Sequence, residues 1–107
     1  VAEPYPTPET LKEIACWPMG DYSAMMDYVR AAWADAGKFE GPKYVPPPGI
    51  VETERVEADW YRLATGGWSG NENIVSAMQD NLMFWAIAWE ASFRGGLTIL
   101  RIPEGNR

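Results

Sequence analysis

Gly66 and Gly67 separate a stretch rich in β-branched and aromatic residues from the helix-start pattern Ser69-x-x-Glu72. Adjacent glycines are poor in a helix or strand interior and readily adopt positive φ, so the chain has to turn here and change from extended to helical. Ser69 and Glu72 have the spacing of a capping box. In that motif the serine oxygen accepts from the N–H at the third helical position, and the glutamate reaches back to the cap's own N–H. The spacing predicts Ser69 as the N-cap of a helix over about residues 70–80, with Ile74, Val75 and Met78 inward and Asn81 ending it in the left-handed conformation.

Other elements follow from similar signals. Pro4, Pro6 and Pro8 make residues 1–8 an extended arm. Thr7 then caps a first helix with Pro8 at its first position, where a missing N–H costs nothing, and Pro18 stops it at about Trp17. Tyr22, Met25, Met26, Val29, Trp33 and Ala36 recur with the helical period, which predicts a helix over 22–36 between an Asp21 N-cap and a C′ glycine at Gly37. Its Met–aromatic stripe reads as core. Residues 38–50, with four prolines, read as a semi-rigid connection within one domain spanning 1–107. Residues 51–65 favour a strand, and the alternation breaks near Ala58-Asp59, which allows a bulge there or a division into two shorter strands. Leu97–Ile102 reads as a second strand, ended by Pro103.

Residues 82–92 admit two readings. Ile74, Met78, Leu82, Trp85 and Trp89 keep helical spacing, yet Arg94-Gly95-Gly96 before Leu97 reads as a hairpin turn, which calls for a strand on both sides. On that ground 82–92 is read as a central strand with two apolar faces. The predicted fold is a single α+β domain in the order α-α-β-α-β-β. Its antiparallel sheet includes a C-terminal hairpin over about 82–102, with the 22–36 helix across one face.

Composition excludes several functions. The 107 residues carry 15 acids and 9 bases, a formal charge of −6, and no basic run, which disfavours nucleic acid as a partner. Histidine is absent, which removes the commonest general base and most catalytic zinc sites. Cys16, the only cysteine, can form neither an intramolecular disulfide nor a cysteine metal cluster. Its apolar neighbours predict a buried, inert thiol, and an unpaired cysteine suits a reducing compartment. No secretory signal and no bilayer-length apolar run appears. Nothing calls for a metal or a cofactor. The six Trp residues read mainly as core.

One candidate site emerges. If the strands leading into Gly66 and Arg94 are parallel neighbours, both turns leave at one edge and bring Trp68, Ser69, Asn71 and Arg94 together. Helix-start N–H groups and a guanidinium would favour an anion. The lysine and spacing of a P-loop are missing. Glu52, Glu54 and Glu57 read as a solvated face, and Asp59 and Glu90 have no partner identifiable from the sequence.

The pattern Gly66-Gly67-Trp68-Ser69-Gly70-Asn71-Glu72, followed by Phe84-Trp85, Trp89, Ser92 and Arg94-Gly95-Gly96, resembles that of small proteins encoded in tailed phages and prophages. The resemblance covers about a third of the chain. It implies a phage or prophage origin and action in the bacterial cytoplasm, and it assigns no activity or catalytic residue. Two functions from different classes follow. The first, which the reading favours, is a non-enzymatic module binding a host or phage protein, such as an inhibitor of bacterial defence of the anti-CRISPR kind, with a homo-oligomer left open. The second is a small-molecule or nucleotide-binding domain, conceivably an enzyme, using the Gly66–Asn71 turn and Arg94.

Overall fold

The computed structural model describes residues 5–46 and 58–107. Helix α1, Pro8–Ala15, starts as the sequence predicts: the Thr7 hydroxyl accepts from the Thr10 N–H at 3.1 Å, and Pro8 and Glu9 occupy the first turn. It ends at Ala15, ahead of Trp17. Helix α2, Tyr22–Ala32, follows Asp21, but Asp21 is left-handed (φ 52°) and its carboxylate makes no capping bond. Tyr22, Met25, Met26 and Val29 are all fully buried, so the Met–aromatic stripe is core. The helix ends four residues earlier than its periodicity predicts. Both the N–H and the C=O of Ala34 bond to the Asn71 side chain, so they are withdrawn from the helical ladder. Gly37 is not a left-handed cap. Its Cα lies against the Ala64 carbonyl, where a side chain would collide.

Four strands make one antiparallel sheet: β1 (Lys38–Glu40), β2 (Ala58–Ala64), β3 (Trp89–Phe93) and β4 (Leu97–Pro103), in the order β1-β2-β4-β3. The class is α+β, as expected. Tyr61 faces Leu100 across the β2–β4 ladder, and these two residues, with Leu63 and Ile102, join the helical core. Trp60, Arg62, Ile99 and Arg101 share the opposite face. The expected strand over 51–65 is described only from Ala58, and Glu52, Glu54 and Glu57 lie outside the described residues. From Ala58 to Ala64 it pairs residue for residue with β4, so no bulge falls within this described part, and the alternative of two shorter strands depends on residues outside it. The irregularity falls instead between Trp89 and Ala91 in β3. Strand β1, inside the Pro-rich connection, had no pattern to announce it. The Phe39 ring meets Tyr61 edge-on at 5.8 Å, which anchors the strand to the core.

The largest correction concerns residues 82–92. The chain forms helix α3 (Ser69–Asp80), then a second helix, α4 (Leu82–Ala88), and becomes extended only at Trp89. Asn81 causes the break. It is not left-handed (φ −81°, ψ 86°); its side-chain oxygen caps α4 by accepting from the Phe84 N–H at 3.3 Å. Its amide donates to the Ile14 carbonyl at 3.0 Å and the Trp17 carbonyl at 3.1 Å, tying the end of α1 to the α3–α4 junction. Ile14, Met26, Ile74, Met78 and Phe84 pack together beneath this clasp.

Two outcomes are expected. Asn81→Asp keeps the capping oxygen but sets a carboxylate against two carbonyls, so urea denaturation should show a loss of about 2–4 kcal/mol, at least as large as for Asn81→Ala. A small loss with Asp and a large one with Ala would make Asn81 a cap alone. Tyr61 is the second case. Burial, reinforced by the Asp59 and Asp27 carboxylates and opposed by Arg30 and Arg107, raises its pKa from 10.0 to about 12. A phenol raised in the folded state contributes fully below its unfolded pKa and loses that contribution as pH climbs through the folded one. Stability should therefore fall between about pH 10 and 12 by roughly 2–3 kcal/mol more in the native protein than in Tyr61→Phe. Parallel pH profiles for the two proteins would refute the shift.

Candidate functional site

Strands β2 and β3 run parallel, so both end at the same rim of the sheet, though with β4 between them rather than as immediate neighbours. The two glycine turns meet there. The Thr65 N–H donates to the Gly96 carbonyl at 3.1 Å. Gly96 has φ 79° and a methyl group on it would strike the Thr65 hydroxyl, so only glycine fits.

Each residue of the predicted site has a different environment at this rim. Ser69 is not a cap: α3 begins on it, Trp68 occupies the N-cap position, and no side chain caps the helix. The Ser69 hydroxyl bonds instead with the Tyr5 hydroxyl at 2.9 Å. The Trp68 ring stacks on Tyr5 at 4.6 Å between centroids, folded back over Gly70, where a side chain would strike the indole. Asn71 is wholly buried. Its oxygen accepts from the Ala34 N–H at 2.8 Å, and its amide donates to the Ala34 and Thr65 carbonyls at 3.3 and 3.2 Å. Arg94 is exposed at the tip of the β3–β4 hairpin. Trp68 and Ser69 thus share one partner, Tyr5. Asn71 lies beneath them, committed to the backbone, and Arg94 makes no hydrogen bond, ion pair or ring contact with the other three.

Other chemistry-bearing residues also have internal partners. Asp59 accepts from the Ser23 hydroxyl at 3.5 Å and pairs with Arg107 at 3.6 Å. Glu90 pairs with Arg101 at 3.2 Å, both largely buried. Cys16 is exposed, contrary to the expectation of burial, because the apolar run around it belongs to a helix end rather than to the interior. It borders an open groove of about 630 Å³ along α1, flanked by Glu9, Glu13, Asp21, Lys12 and Trp17. Among the described residues no group of three or more acidic or cysteine side chains could hold a metal ion. No described helix is long and apolar enough to cross a membrane.

Exposed apolar side chains that the sequence reading did not announce lie on α4 and β3. Leu82, Met83, Trp89 and Phe93 are 78%, 52%, 46% and 41% exposed, four of the seven large hydrophobic side chains exposed among the described residues. The Trp85 and Trp89 rings stack at 6.4 Å, and the Trp89 N–H donates to the Ser92 hydroxyl at 2.8 Å, fixing that indole at the surface. From Asn81 to Phe93 the only charged residue is Glu90. The signal was present in the apolar run. A seven-residue helix buries one face, here Phe84 and Ala88, and the rest of an all-apolar helix must remain outside.

No family model, curated protein or solved structure matches the chain.

If Trp68 chiefly clasps the arm, Trp68→Ala should cost about 1–2 kcal/mol in urea denaturation, mostly the lost aromatic pair and partial burial. Tyr5→Ala should cost a similar amount, and the double mutant less than the sum of the two. A loss of about 3–5 kcal/mol, as for an emptied core site, would contradict this assignment.

Proposed function

We propose that this chain is a non-enzymatic protein-recognition module whose contact surface is the outer edge of β3 together with the apolar side of α4. The observation that carries the reading is the contrast between the two edges of the sheet. Strand β1 is short, with exposed Lys38 and Glu40, the kind of edge that discourages pairing. Strand β3 is also outermost, but it is longer and bears exposed Trp89 and Phe93, one on each face by its register with β4, and it follows directly on α4, where Leu82 and Met83 are exposed. Solitary exposed hydrophobics are ordinary, whereas exposed apolar side chains on an open edge strand are what strand addition by a partner uses. Trp is also prominent among residues that dominate interface energetics.

The resemblance to phage and prophage proteins supports a specific version: an accessory protein acting on a host or phage protein in the bacterial cytoplasm, an inhibitor of bacterial defence being one form. The competing reading, a small-molecule or nucleotide site at the Gly66–Asn71 turn, has less support, because the Asn71 amide and the Ser69 hydroxyl already have partners within the fold.

A photo-reactive residue at Met83 should cross-link to a partner in bacterial lysate. Trp89→Ala should weaken that partner's binding by about 2 kcal/mol or more, and Leu82→Glu should abolish it. Leu82→Glu should unfold within about 0.5 kcal/mol of the native protein, since Leu82 is 78% exposed, and Trp89→Ala should lose only about 1–2 kcal/mol with its stacked partner and remain folded. Binding that survives both substitutions would remove this surface from the function.

A further inference from the structure

We infer that the Ser69 hydroxyl is a two-position latch. With the arm at residues 5–7 docked, it holds Tyr5. With the arm released, it caps α3 together with Glu72, so that baring the Trp68 ring is offset by a gained cap.

Ser69 and Glu72 have capping-box spacing, yet the box is open in the structure. Helix α3 starts on Ser69 with Trp68 at the N-cap position, and no side chain caps it. The Glu72 N–H donates to the Trp68 carbonyl at 3.1 Å, while the Ser69 hydroxyl bonds with the Tyr5 hydroxyl at 2.9 Å. The Glu72 side chain is exposed and forms no ion pair among the described residues. Both halves of the box are therefore present and disengaged. The two arrangements exclude each other because they draw on one donor. The Glu72 N–H reaches either the Trp68 carbonyl or the Ser69 hydroxyl.

The change between them is small. Moving the cap from Trp68 to Ser69 takes only Ser69 out of the helix. Gly70 and Asn71 stay helical, so the buried Asn71 keeps its bonds to Ala34 and Thr65. The arm is also lightly held. Tyr5 is 56% exposed, and its hold consists of the ring stack on Trp68 and the one hydroxyl bond, with Pro6 beside Gly70. Thr7 is fixed separately, since its oxygen accepts from the Thr10 N–H at 3.1 Å. Helix α1 thus keeps its start while the residues before Thr7 move. A single hydroxyl bond and a serine cap contribute on the same scale, so the ring stack decides for the docked arm. A partner that engages either ring removes the stack and shifts the balance to the capped helix.

Backbone NMR of the full chain tests this. In the native protein the Ser69 carbon shifts should be helical. Tyr5→Phe removes the hydroxyl at an exposed site and leaves the fold intact. In that variant the Ser69 shifts should move to the extended range of an N-cap residue. Exchange of the Ser69 amide, now bonded by the Glu72 carboxylate, should slow by roughly 2- to 30-fold, the range a cap supplies. Adding Glu72→Ala should reverse both changes, whereas adding Glu72→Gln, which preserves the box, should not. Ser69 remaining helical in Tyr5→Phe overturns the inference. So does a Ser69 that leaves the helix with faster amide exchange, which is fraying alone, or one indifferent to Glu72→Ala.

Discussion

Helix α3 is anchored near its start and just past its end by buried asparagines, and the remaining elements are arranged around those two anchors. Asn71 binds the backbone of Ala34 and Thr65, which fixes where α2 stops and where β2 turns. Asn81 binds the carbonyls of Ile14 and Trp17 and caps α4, which fixes the end of α1 and the start of the last helix. An amide suits both places because it carries a donor pair and an acceptor on one rigid plane, so one side chain satisfies backbone groups from two segments. In an interior lined with methionine and aromatic side chains, those backbone groups would otherwise be costly orphans.

This arrangement determines how apolar surface is distributed. The core takes one face of the sheet and the inward faces of the helices. Because Asn81 restarts the helix, α4 presents only Phe84 and Ala88 fully to the interior and turns Leu82 and Met83 outward. Strand β3 then emerges at the outer edge of the sheet with Trp89 and Phe93 exposed. The exposure of these apolar side chains therefore follows from the same break that organises the core, and the charged, shorter β1 leaves the opposite edge far less open to pairing.

The rim bearing the two glycine turns has another role. Its hydroxyl, indole and amide groups have the composition of a ligand site, yet they mostly join elements distant in sequence. Tyr5 reaches Ser69 and Trp68, and Thr65 reaches Gly96. Groups of this kind serve a ligand only when the fold leaves their bonding capacity unfilled, which a residue pattern does not reveal.

By itself the sequence determined the features that depend on neighbours a few residues apart. These are the Thr7–Pro8 helix start, the buried stripe of α2, the turns at Gly66–Gly67 and Gly95–Gly96, the strand ending at Pro103, and hence the α+β class. Only the tertiary structure decided the features governed by remote partners. The run Leu82–Trp89 satisfies helical and extended periodicities alike, and what selected the helix was Asn81 meeting Ile14 and Trp17, 67 and 64 residues away. Ser69 has the spacing of a cap, but a tyrosine 64 residues away holds its hydroxyl. Asn71, read as a candidate ligand group, instead ends α2 by bonding Ala34, 37 residues earlier. Local spacing sets which hydrogen bonds a segment can make. Which of them form depends on the groups that the folded chain brings within about 3 Å.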